Sequence, residues 1–248
     1  MAPGMSDNEI MLKVDSLNAW HGAAHILYDL AFEVRRGEVV ALMGRNGAGK
    51  STTLKAVMGL LAHRSGAVTF LGEDISRRKP FEIARRGIGF TPEDRRVFSD
   101  LTVMENLDIG RQPERRFPDG KSTPSWTAEK LFKLFPNLAE MPHRLGGRMS
   151  GGEQQMLTVA RTLMGNPLLV LLDEPSEGVA PIIVEQMANA IQELKQEGLS
   201  ILLCEQNFHF AQLVSDRAYM LEKGQQRWEG TMADMMRDTA AQRAYLAV

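Results

Sequence analysis

The chain is short of several things, and each shortage closes a route. It has one cysteine, Cys204, in 248 residues, so no internal disulfide can form and a reducing compartment is the natural setting. Neither sign of charge dominates: 29 Lys and Arg against 31 Asp and Glu leave a formal net charge of -2. That balance carries no footprint for nucleic acid or an anionic membrane surface. Long apolar runs are absent as well. Even PLLVLL is stopped by Asp173 and Glu174, far short of the ~20 apolar residues a membrane span requires. The opening MAPGMSDNEIMLKVDSL is acidic where an export signal needs a basic patch and an apolar stretch, so no export is expected. No His or Cys cluster has metal-ligand spacing, no repeat or heptad recurs, and the 15 methionines read as core filler.

What is present is ordinary globular material, 44% hydrophobic and 24% charged, enough for a large core. Short β-branched runs at 39–43, 88–91, 168–172 and 200–204 are each followed by a polar turn and an amphipathic segment, which predicts an α/β fold with a mostly parallel sheet. LKVDSL and ILYDLAFEV alternate instead, as strands of a small antiparallel β layer do. From 97 the pattern turns helical, broken by RQPERRFPDGKSTPSWT, which reads as a surface loop. The expected organisation is a single domain, 8–248, with a nucleotide-binding core (8–96 and 160–248) and an inserted helical subdomain (97–159). The segment after Thr231 predicts one or two short helices.

The run VVALM leads into GRNGAGKST, a P-loop pattern. Triphosphate oxygens need backbone N–H groups curled around them, and Gly44, Gly47 and Gly49 permit that curl, with Arg45, Asn46 and Ala48 between them. A helix starting near Lys50 turns its positive end to the phosphates; Lys50 neutralises them, Ser51 ligates Mg²⁺, and Thr52 follows. A second apolar run ends in Asp173-Glu174-Pro175. Asp173, at a strand end beside the loop, suits Mg²⁺ through water, and Glu174 is placed as general base toward the attacking water. A glycine turn or a strand-ending turn would explain either motif alone.

Residues Met149-Ser150-Gly151-Gly152-Glu153 feed a second helix start, another anion-binding device. Here the chain resembles the ATP-binding-cassette family, whose signature is usually LSGGQ. The resemblance runs from about Ile10 to the terminal AYL, and GRNGAGKSTTLKAVMGLL, LTVMENL, LLDEPSEGVAPIIVE and EQNFHFA are in the style of branched-chain amino acid importers and their urea and amide relatives. It implies a P-loop NTPase with a RecA-like sheet that hydrolyses ATP with Mg²⁺. It implies two cassettes, identical or different, packed head to tail, with Ser150, Gly151, Gly152 and Glu153 of one closing over ATP held by the other. It also implies transmembrane permease subunits, a solute-binding protein met indirectly, no nucleic acid, and a place on the cytoplasmic side of the inner membrane.

By the same resemblance Trp20 or His21 stacks on adenine. Glu93 stands where the family carries glutamine, and is expected to meet Mg²⁺ and the attacking water; Gln206 stands for the switch histidine and can hydrogen-bond a phosphate oxygen without moving a proton. His209 reads as a surface helix residue. The permease groove is expected near 93–107, including Phe98 and Leu101, although those side chains suit helical packing equally. Rival readings are a lipid or lipopolysaccharide exporter cassette, a soluble cassette ATPase acting on nucleic acid or ribosomes, and a P-loop kinase.

Overall fold

The computed structural model describes residues 9–245, with the Tyr245 side chain excluded. The reading of the opening MAPGMSDN, and Leu246 of the terminal AYL match, fall outside the described residues. From the N-terminal side, β1 (Ile10–His21) and β2 (Ala24–Arg35) form a hairpin, β3 (Val39–Met43) runs into α1 (Lys50–Val57), and β4 (His63–Phe70) and β5 (Glu73–Asp74) return to the hairpin. After α2 (Pro80–Arg85) and β6 (Ile88–Thr91) come α3 (Val103–Gly110), α4 (Ala128–Leu134), α5 (Pro136–Ala139) and α6 (Gly151–Leu163). Alternation then resumes with β7 (Leu169–Asp173), α7 (Pro181–Gln196), β8 (Ser200–Glu205) and α8 (Phe208–Val214). The chain closes with β9 (Arg217–Glu222), β10 (Gln225–Thr231), α9 (Met232–Arg237) and α10 (Thr239–Tyr245).

A six-stranded sheet of order β10-β9-β3-β8-β7-β6 is parallel throughout except at β10, and a four-stranded antiparallel sheet of order β2-β1-β4-β5 lies over it. Every residue of β3, β7 and β8 is buried, which is why these strands read as unbroken apolar runs. Their alternate residues serve two cores. Val39, Ala41 and Met43 face α6, α7 and α8, whereas Val40 and Leu42 face the antiparallel layer and α1. Cys204 is buried in β8, in the second core. Parallel registry brings Met43 beside Glu205 and Asp173 beside Cys204, so the turns leaving β3, β7 and β8 emerge at one sheet edge.

The segment expected as a surface loop is instead a strap. Phe117 is buried among the residues between the two sheets, and the Arg36 guanidinium stacks 3.5 Å from its ring centroid while donating to Asp119 at 2.8 Å. At the other end Trp126 is buried, with its backbone N–H given to Asn166 Oδ1 and the Asn166 amide given to Gln112 O. Polar composition hid two aromatic anchors.

Candidate nucleotide site

The phosphate loop occupies the turn from β3 to α1. Gly49 has φ +107°, and a Cβ there would fall 2.7 Å from Leu27 Cδ2. Behind it sits Gly224, in the β9–β10 turn, whose N–H donates to Ala48 O at 2.9 Å. Lys50 is buried and curls into the loop, donating to Gly44 O at 2.8 Å and Arg45 O at 3.2 Å, with Nζ 3.0 Å from Glu174 Oε1. A cavity of about 320 Å³ gathers Asn46, Gly47, Gly49, Lys50, Ser51 and Thr52 with Glu93, Glu174 and Glu177. Arg45 is exposed and turns with Asn46 to a shallow depression beside Glu222, and Ala48 is buried.

Ser51 Oγ donates to Asp173 Oδ1 at 2.8 Å, while Asp173 Oδ2 is buried with no partner among the described residues. A hydroxyl oxygen on the cavity wall and, hydrogen-bonded behind it, a buried carboxylate with one orphaned oxygen suit a hard divalent cation. Burial, with the charges of Glu174 and Glu93 adding to it against the Ser51 bond and Lys55, pushes the Asp173 carboxyl up to about 6. Glu174 sits at φ +50°, a strained backbone position at the end of β7. Burial pushes its carboxyl up, but hydrogen bonding to Glu177 and Lys50 and the Lys50 charge hold it below the usual range. Glu177, hydrogen-bonded to Glu174, partly desolvated and near the Glu174 and Glu93 charges, is pushed up to about 7. Within the pair a proton therefore favours Glu177 over Glu174.

Sequence reasoning missed three positions. Glu177 follows Glu174 by three residues, and its backbone N–H donates to Glu174 O at 3.1 Å. Gly224 backs the phosphate loop. Glu205 is buried at the end of β8, where Oε1 accepts from Ser176 N at 3.0 Å and Oε2 from Asn207 N at 3.2 Å, and burial pushes it up to about 7. The available signal was a carboxylate closing the apolar run SILLC.

Other expected residues are spread around this cavity. His21 Nε2 lies 3.3 Å from Thr52 Oγ1, against the start of α1. Trp20 instead stacks on His25, with ring centroids 4.3 Å apart, and faces a depression shared with Gly22 and His63. Gln206 is exposed beyond β8 and does not line the cavity, and His209 is exposed on α8. Ser150 and Glu153 cap α6 reciprocally, Ser150 N to Glu153 Oε2 at 2.7 Å and Glu153 N to Ser150 Oγ at 3.3 Å. Neither they nor Gly151 and Gly152 line the phosphate cavity, and Gly151 lies under the Arg95 guanidinium. Phe98 lines a separate groove between α2, β6 and α3; Leu101, expected beside it, does not.

A family profile described as ABC transporter matches residues 27–177. The chain belongs to the ABC transporter family. It is an ATPase of that family. This cassette is 42% identical over 236 residues to the high-affinity branched-chain amino acid transport ATP-binding protein BraG of Pseudomonas aeruginosa, covering 95% of this chain and 99% of BraG. It is 34% identical over 238 residues to the lipopolysaccharide export system ATP-binding protein LptB of Haemophilus influenzae, covering 95% and 97%. Among solved structures it resembles an ATP-binding cassette of an ABC transporter in its ADP conformation, with TM-score 0.78 and 28% identity over 96% of this chain and 99% of that one.

Proposed function

We propose that this cassette powers import of branched-chain amino acids, or a related small polar solute, through transmembrane permease partners on the cytoplasmic face of the inner membrane, supplied by a solute-binding protein. The observation that carries the cargo is the 42% identity to BraG over nearly the whole of both chains, against 34% to the LptB exporter subunit. The working unit is a dimer, of two copies or of this chain with a related cassette, in which 97–159 moves as a unit to bring Ser150 to Gly152 and Glu153 over the partner's phosphate loop. That the signature caps its own helix outside its own cavity supports this arrangement.

Within that dimer Gly44 to Gly49 cradle the phosphates and Lys50 neutralises the γ-phosphate charge. Ser51, Asp173 and Glu93 would hold Mg²⁺, which when bound would neutralise charge developing on the phosphates. Glu174 takes the proton of the attacking water as its oxygen bonds to the γ-phosphorus and the bond to the β-phosphate oxygen breaks. Gln206, outside the cavity in the single chain, is assigned a hydrogen bond to a phosphate oxygen only in the closed dimer, and His21, packed on Thr52, is the better placed ring for adenine. The test is reconstitution with the copurified permeases in liposomes. ATP-dependent leucine uptake that Glu174→Gln abolishes supports the reading; uptake of lipid-linked substrates alone would overturn the cargo. Dimer geometry is tested separately: Asn46→Cys and Ser150→Cys chains, mixed, should crosslink only with ATP bound.

A further inference from the structure

The loop between β6 and α3 carries two arginines in left-handed backbone, Arg95 at φ +61° and Arg96 at φ +47°. Both carbonyls are clamped to α6, that of Arg95 by Thr158 Oγ1 at 2.6 Å and that of Arg96 by Arg161 Nη2 at 2.7 Å. The two side chains then part. Arg96 is exposed and pairs with Asp94 at 2.8 Å, an ordinary surface contact. Arg95 is half-buried and turns toward the start of α6, where its Nε donates to Gln155 Oε1 at 3.3 Å and no carboxylate pairs with it among the described residues.

The place is an awkward one for a cation. A Cβ on Gly151 would fall 2.6 Å from Arg95 Nη1, so glycine leaves the room the guanidinium fills, and a Cβ on Gly178 would fall 3.7 Å from Nη2. The group therefore lies against both the start of α6 and the turn that follows Glu174. Donors without acceptors surround it. Gly151 and Gly152 precede the first backbone bond of α6, Gln154 N to Ser150 O at 2.9 Å, and Gln155, 2% exposed, has an Nε2 with no partner among the described residues. A full positive charge against the positive end of a 13-residue helix is unfavourable until an anion lies between them.

We propose that the Arg95 guanidinium acts in trans, meeting a γ-phosphate oxygen of the ATP held by the partner cassette. The inference rests on the dimer reading above, taken for two copies of this chain, and adds a cation that the segment 149–153 does not itself contain. The bonds made and broken stay those of hydrolysis. Water oxygen joins the γ-phosphorus, the Glu174 of the chain holding the ATP takes the water's proton, and the bridging oxygen leaves on ADP with the electron pair of the broken bond. Arg95 forms no covalent bond; its N–H groups neutralise charge on the transferring phosphoryl group. Gln206 brings no charge to that group, and Arg95 supplies it. Within one loop, Glu93 then serves the chain's own cavity and Arg95 the neighbour's.

The test mixes full-length variants and reads phosphate release. Arg95→Gln, which keeps length and hydrogen bonding without the charge, should slow turnover by about 10²-fold while fluorescent-nucleotide affinity of the single chain is unchanged. Arg95→Lys should regain part of the rate, a difference that a residue merely bracing α6 would not produce. Glu174→Gln chains, inactive alone, keep Arg95. Mixed in equal amounts with Arg95→Gln chains, they should raise phosphate release well above the sum of the two alone, because an intact Glu174 site then faces an intact Arg95. No gain on mixing, equally slow Gln and Lys variants, or full turnover in Arg95→Gln overturns the inference. The dimer stands in that event if the Asn46→Cys and Ser150→Cys chains crosslink with ATP; without that crosslink two copies do not close, and both readings fall.

Discussion

Lys50 Nζ lies 3.0 Å from Glu174 Oε1, so the cation proposed for the phosphates and the carboxylate proposed for the water are one another's partners. A triphosphate must therefore compete with Glu174 for Lys50. Glu174→Gln removes both the competitor and the base. ATP should bind several-fold tighter to the variant by fluorescent-nucleotide titration, while phosphate release drops by about 10²- to 10⁴-fold. Weaker binding with turnover retained would show that Glu174 is neither.

Asp173 makes the divalent cation requirement depend on pH. Its carboxyl, at about 6, is ionised at neutral pH and takes up a proton as the pH falls through that value. Proton and cation compete for the same oxygens, so the Mg²⁺ concentration for half-maximal ATPase activity should climb as pH drops below 6, and excess Mg²⁺ should restore activity. Glu93→Gln takes away one of the charges that raise Asp173, so the climb should begin at lower pH. Magnesium titrations at several pH values in both proteins check this; superimposable curves would remove Glu93 from the site.

Gly224 tests how far the phosphate loop depends on a distant turn. With φ +78°, a Cβ on it would sit 1.8 Å from Ile26 O, and the residue lies against Gly49. Gly224→Ala should cost about 3 kcal/mol or more in urea unfolding, because backbone, not a flexible side chain, must move. ATP affinity should fall in the fraction that still folds. A variant with unchanged midpoint and affinity would mean that the turn does not brace the loop.

These three sites differ in how legible they were. The motif residues Lys50, Ser51, Asp173 and Glu174 were readable because their chemistry is local: a glycine curl, a strand end, a carboxylate at each. The parallel strands were readable because burial on both faces leaves Val, Leu and Ile in unbroken runs. Gly224 was not, since its meaning arises only when the β9–β10 turn folds against β2 and the phosphate loop. The same holds for Phe117, whose polar neighbours read as loop while its ring fills a gap between two sheets, and for Glu205, whose two backbone partners come from different turns. Leu101, for which a groove position and helical packing were equally open, does not line the groove that runs along Phe98, Ile109 and the strap.

Glu205 joins the turn after Glu174 to the turn holding Gln206, and it does so as a buried carboxyl raised from 4.5 to about 7. The folded protein thus binds this proton more tightly than the unfolded chain does. Stability from this group is complete below 4.5 and declines as pH rises towards about 7, by on the order of 3 kcal/mol. Glu205→Gln cannot titrate, so the part of the pH dependence due to this residue should vanish, and the difference between the two proteins should change with pH over that window. An amide also offers one acceptor oxygen to the two N–H groups of Ser176 and Asn207, so one of them loses its partner and hydrolysis should fall even where the variant remains folded. Urea midpoints from mild acid to mild alkali, with phosphate release measured alongside, decide it: parallel stability curves and unaltered turnover would leave Glu205 as a buried charge with no part in holding the two turns together.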